Sequence, residues 1–128
     1  MNIYAKKGEF TTPAVAFVGK DHKEANGFTV FAHVNVENAT EYGVIFASKT
    51  AYDNGNNADF DLDDAAADAE KVAAGEKAQP SYTVVKIDAT NVSDFMAPLT
   101  NTGDKTRYAR AYVKVNDKYI YTTAICNK

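Results

Sequence analysis

The sequence predicts an all-β protein, an antiparallel β-sandwich with one short Ala-rich helical insertion at about residues 61–74. Three observations carry that expectation. Arg107 to Thr122 reads as two long strands, with apolar and polar residues alternating on both arms about Asn116-Asp117. The aromatic content is eight Tyr and seven Phe with no Trp, and Tyr, Phe, Val, Ile and Thr favour strands. Strand-length runs also recur at short spacing, which fits a sandwich and not a series of βαβ units.

Each element has its own justification. Pro13 to Val18 is a first strand, and the polar stretch Gly19 to Gly27 a loop. From Phe28 to Val36 the chain alternates. Phe28, Val30, Ala32, Val34 and Val36 share one face, with Thr29, His33 and Asn35 on the other. Glu37 to Thr40 is a turn. Tyr42 to Ala47 is a continuous apolar run, as expected of a central strand covered on both faces. Asp53 to Asn57 is loop chemistry. Asp61 to Ala74 is Ala-rich and acidic and is followed by Gly75, which predicts a helix of about three turns with a glycine C-cap. Its apolar residues are mostly Ala, so it is expected to bury weakly, across one end or edge of the sandwich. Tyr82 to Ile87 is a strand and Asp88 to Asp94 a turn-rich link. Phe95, Met96 and Leu99 are expected to plug the core from a loop, and Thr100 to Lys105 is a turn.

A two-residue loop at Asn116-Asp117 fixes the register of the closing hairpin. Val115 then faces Lys118, Val113 faces Ile120, Ala111 faces Thr122 and Ala109 faces Ala124. On the other side Lys114 faces Tyr119, Tyr112 faces Tyr121 and Arg110 faces Thr123. One face is small and aliphatic. The other is a tyrosine ladder flanked by two cations. Either face can be the core, and a one-residue slip would exchange them. A tyrosine row beside cations is also a platform for sugars or a partner protein, which makes Arg110, Tyr112, Lys114, Tyr119 and Tyr121 the candidate binding residues.

Bulk properties narrow the function classes. A chain of 128 residues is one domain, residues 1–128, and buries about two-thirds of its unfolded surface. The net charge of −3 argues against nucleic acid, whose binders need a basic footprint. No apolar run is long enough to insert in a membrane as a helix. Met1 to Lys7 has no apolar signal-peptide core, so the expectation is a module of a longer precursor or a chain not secreted by that route. The single Cys126 makes no internal disulfide.

Glu41-Tyr-Gly-Val-Ile-Phe46, Tyr108-Ala-Arg-Ala-Tyr-Val-Lys114 and Tyr119-Ile-Tyr121 resemble a family of immunoglobulin-like or fibronectin type III-like modules of Firmicutes surface and secreted proteins. The resemblance covers roughly Val15 to Tyr121. It implies an immunoglobulin/fibronectin-like sandwich acting as a structural spacer, stalk or accessory binding unit at the cell surface or outside the cell. The implied partners are neighbouring domains or protein subunits and cell-wall or host glycans, with no cofactor. It also places Tyr108 where such domains carry a tyrosine corner, a phenol bonded to nearby backbone.

Other chemistry is sparse. Asp59, Asp61, Asp63 and Glu70 fall at calcium-loop spacing, but Asp64 stands where that loop needs Gly, and an acidic helix N-terminus explains the run without a metal. His22 and His33 have no partner at metal spacing. Ser48, Ser81 and Ser93 lack a nucleophile-elbow context, and there is no phosphate-binding glycine loop. No enzymatic activity, catalytic residue or metal site is expected. Asn38-Ala-Thr40 and Asn91-Val-Ser93 match the glycosylation sequon and suit surface turns. Two alternatives stand beside the surface module. One is a phage virion protein, a capsid decoration or tail component that self-assembles through an edge strand. The other is a carbohydrate-binding module, against which the absence of Trp counts.

Overall fold

Alternating side chains sort the strands into two antiparallel sheets with an apolar layer between them. The computed structural model describes residues 15–21, 27–37, 39–55, 57–87, 93–100 and 105–127. Its strands are β1 (Val15–Asp21), β2 (Gly27–Val34), β3 (Ala39–Ser48), β4 (Tyr82–Ile87), β5 (Asp94–Thr100), β6 (Arg107–Val115), β7 (Lys118–Tyr121) and β8 (Ile125–Cys126). Two helices, α1 (Lys49–Asn54) and α2 (Leu62–Ala73), lie between β3 and β4. Among the described residues one sheet has the order β1-β2-β5, and the other β4-β3-β6-β7 with β8 also paired to β6. This is the β-sandwich that the strand pattern predicts.

The core forms from the inward face of each strand. Phe28, Val30, Ala32 and Val34 of β2 and Phe95 and Ala97 of β5 meet Tyr42, Val44 and Phe46 of β3 and Ala109, Ala111 and Val113 of β6. Large and small residues oppose one another: Phe46 pairs with Ala109, and Val44 with Ala111. Aromatic edges join the layers, with Phe28 and Phe46 centroids 5.7 Å apart at 72° and Tyr42 and Phe95 centroids 6.3 Å apart. The aliphatic face of the hairpin is therefore the core face. As expected, β3 is covered on both sides, because Ile45 and Ala47 face outward into a second apolar cluster with Phe60, Ala65 and Tyr112.

Four expectations change. Asp53 lies in α1 and not in a loop. That helix is only six residues long, too short to show a hydrophobic period, and Ser48 caps it by accepting the Ala51 N–H at 3.1 Å. Phe95, Met96 and Leu99 belong to a strand, β5, paired along the whole of β2. Gly19 to Asp21 continue β1 past a register shift between Phe17 and Gly19. Ala109 pairs with Ile125 and not Ala124. There the buried Thr122 hydroxyl accepts the Ala111 N–H at 3.0 Å, in place of a backbone carbonyl, and the register moves by one. The expected position of α2, at one end or edge, is refined: it lies beside the edge strand β4 and there packs on the outer face of the larger sheet, where Ala65 and Leu62 reach the second cluster. His22, Asn38, Asn91, residues 13–14, 88–92 and 101–104 lie outside the described residues.

The helix itself forms as its sequence indicates. Asp61 is the N-cap in a reciprocal capping box with Asp64, and Gly75 follows at φ 80°. A buried carboxylate anchors it. Asp68 accepts from Lys77 Nζ at 2.5 Å and from the Ser81 N–H at 2.8 Å, tying α2 to the start of β4. Burial pushes the Asp68 carboxyl up. The hydrogen bonds from Lys77, Ser81 and the Tyr82 N–H outweigh it and hold the group below its ordinary 3.8. A depressed carboxyl stabilises the fold above its unfolded pKa and loses that contribution as the pH falls through the folded value. Asp68→Asn is expected to melt at a lower temperature than the parent at neutral pH. In melts followed by circular dichroism, that gap should begin to shrink as the pH falls past 3.8 and close below it.

Candidate functional site

The outer side of the closing hairpin gathers every candidate binding residue. The turn at Asn116 and Asp117 has φ of 53° and 64°, the left-handed pair that a two-residue hairpin loop requires. It sets the expected register, with Tyr112 opposite Tyr121 and Lys114 opposite Tyr119. Alternation then points Arg110, Tyr112 and Lys114 outward from β6, and Tyr119 and Tyr121 outward from β7.

Tyr112 is the centre of this face and is only 1 % exposed. Its cross-strand neighbour is Gly43. The phenol covers that glycine, where a Cβ would come within 2.6–2.7 Å of the ring and hydroxyl. Its hydroxyl donates to Glu41 Oε2 at 3.1 Å, and its ring packs on Tyr119 and Tyr121, with centroids at 5.7 and 6.2 Å. Burial pushes the Tyr112 phenol far up, and the Glu41 carboxylate adds to that shift, so the group stays protonated.

Arg110 and Tyr121 are committed to the helical insertion. Arg110 donates to the carbonyls of Thr122 and Phe60, each at 2.8 Å, and its guanidinium lies 4.6 Å from the Tyr121 ring centroid. The Tyr121 hydroxyl accepts the Leu62 N–H at 3.2 Å. Phe60, fully buried between these groups and Tyr82, is the anchor that sequence reasoning missed. Its signal was one large aromatic inside an acidic run. Tyr108 stacks on Tyr52 of α1, with centroids 3.8 Å apart at 10°. A phenol-to-backbone bond of the tyrosine-corner kind is made elsewhere, by Tyr42 to the Ala39 carbonyl at 3.2 Å.

What stays open is the part of the face nearest the hairpin turn. Tyr119 is 40 % exposed, with the Lys114 ammonium 5.4 Å from its centroid. Glu41 carries the Tyr112 hydroxyl on one oxygen and lies 3.7 Å from Lys86 on the other. This rim can stack a flat group on Tyr119 and offers two cations and a carboxylate to polar groups. It lies away from the acidic run, whose residues serve other purposes. Asp61 and Asp64 cap α2, and Asp63 sits in its first turn. Among the described residues no three His, Cys, Asp or Glu side chains are grouped to hold a metal. His33 pairs with Asp94 at 2.8 Å on the other sheet.

No family model, curated protein or solved structure matches the chain.

The Tyr112–Gly43 contact is directly testable. Gly43→Ala is expected to cost about 1–3 kcal/mol, because the ring it would displace is fixed on three sides. Replacing Tyr112 by Leu should relieve most of that cost. Urea unfolding of the two single variants and the double variant measures the coupling.

Proposed function

We propose that this chain is an immunoglobulin/fibronectin-like module that acts, without enzymatic activity, as a spacer or accessory binding unit of a bacterial cell-surface or secreted protein. The observation that carries the reading is the path of the chain. Val15 pairs with Val34 at the end of the sandwich where β2 passes to β3, the end that also holds the β6–β7 turn. Cys126 pairs with Tyr108 near the start of β6, at the opposite end. The described chain therefore enters at one end and leaves at the other, about 30 Å away for a nine-residue strand. A spacer needs its first and last described strands at opposite ends in this way.

The strand order supports the fold assignment within this reading. A three-stranded sheet faces a larger one, and β3 and β6, which carry the two resembling segments, lie side by side at its centre. The exposed Tyr119, with the half-buried Lys114 and Glu41 near it, gives the module a lateral contact point for a neighbouring domain or a glycan.

Two copies joined in tandem through their native ends test the spacer reading. Small-angle scattering at low concentration should give a maximum dimension near twice that of a single copy. A tandem folded back to the dimension of one copy overturns it.

A further inference from the structure

Among the described residues the smaller sheet ends at β1 and β5 and the larger at β4 and at the short β7 and β8, and all but β4 are guarded along their length. β1 carries the register shift at Phe17/Gly19, and β7 is four residues long. On β5 the Val34 N–H donates to the Ser93 carbonyl, which sets the phase of the ladder with β2. Asp94, Met96 and Pro98 then turn their backbone groups to the open side, where Pro98 offers no N–H.

β4 is blocked only at its start, where the Asp68 carboxylate takes the Ser81 and Tyr82 N–H groups. Its sequence, Tyr-Thr-Val-Val-Lys-Ile, holds neither Pro nor Gly, and its one charge, Lys86, lies 3.7 Å from Glu41 of its own chain. The Ser48 N–H donates to the Ser81 carbonyl at 2.9 Å, so Thr83, Val85 and Ile87 are bonded to β3. Val84 and Lys86 present their N–H and C=O groups to the open edge, and among the described residues nothing pairs with them. Val84 is also 41 % exposed.

We infer that β4 is a self-association edge, and that its partner is β4 of a second copy, antiparallel about a two-fold axis at Val85. In that register Val84 and Lys86 of one copy exchange N–H···O bonds with Lys86 and Val84 of the other, so the N–H and C=O groups of these two residues are satisfied by their own kind. Val85 meets Val85, and each Lys86 keeps its Glu41. The alternative register, centred on Val84, would aim the Lys86 carbonyl at the Tyr82 N–H, which already faces the Asp68 carboxylate. The same carboxylate stops a longer foreign strand from running the full edge, whereas the second copy needs only Val84 to Lys86. The inference goes beyond the spacer reading and stands without it.

Sedimentation velocity of the whole chain, from micromolar to about 1 mM, tests it. The expected result is a concentration-dependent rise from 13.9 kDa towards twice that mass. Val84→Pro removes an N–H that β3 does not use, so it should abolish the dimer while circular dichroism stays that of the parent. Val84→Lys sets a cation against Lys86 of the other copy and should weaken association by more than about tenfold. Val84→Glu sets an anion there and should leave association intact or tighten it. A monomer throughout the range, a dimer that survives Val84→Pro, or equal effects of Lys and Glu each overturn the proposal.

Discussion

The missing side chain at Gly43 is the constraint on which the rest of the molecule depends. The Tyr112 phenol occupies the space that a Cβ on its cross-strand neighbour would need. This explains why two sequence segments far apart in the chain carry linked features. Tyr-Gly in β3 and Ala-Arg-Ala-Tyr in β6 are the two halves of one cross-strand contact. With Tyr112 seated outward, parity sends Ala109, Ala111 and Val113 inward, and their small volume admits Phe28 and Phe46 between the sheets. A one-residue slip would put Arg110 and Tyr112 into the core, so the contact also defends the register.

The larger sheet is amphipathic in an unusual sense, because both its faces are apolar over half their length. Ile45, Ala47 and Tyr112 need a cover, and the chain between β3 and β4 supplies it. That cover is mostly Ala, so it buries little area by itself. It is held instead by directed contacts: Arg110 to the Phe60 carbonyl, Leu62 to the Tyr121 hydroxyl, Asp68 to Lys77 and Ser81. Arg suits the first role because its planar fork bonds two carbonyls while stacking on an aromatic ring. The tyrosine ladder is thereby divided. Its helix-side half fixes the insertion, and its turn-side half, Tyr119 with Lys114 beside it, takes no part in that.

Local signals made most of the fold legible. The hairpin was readable because Asn116-Asp117 accepts left-handed backbone at both positions and the flanking strands alternate cleanly. The long helix was readable from Asp61, the Ala run and Gly75. β5 was not, because outward Met96 breaks the apolar-polar alternation and Pro98 looks like a strand breaker until its open edge is known. α1 was not, since its stability comes from Tyr52 stacking on Tyr108 and not from its own period. For the candidate site, the sequence placed Arg110, Tyr112 and Tyr121 on one face. It could not show that Phe60 and Leu62 return to that face and occupy two of the three.

The chain path and the open edge together constrain how copies could associate. The long axis runs from the Val15 end to the Cys126 end, and β4 lies along its flank. A two-fold axis through Val85 makes the paired β4 strands antiparallel, so the two long axes also point in opposite directions. Stalks rooted side by side on one surface are parallel and cannot pair this way. Stalks rising from facing surfaces, or copies released from any surface, can. Lateral pairing at β4 therefore leaves neighbours on one surface separate and joins only opposed or free copies. The same geometry places Tyr119, on the β7 side of the sheet, away from the pair, whereas Lys86, the second cation of that rim, lies within it. A copy engaged through β4 keeps Tyr119 open and commits Lys86.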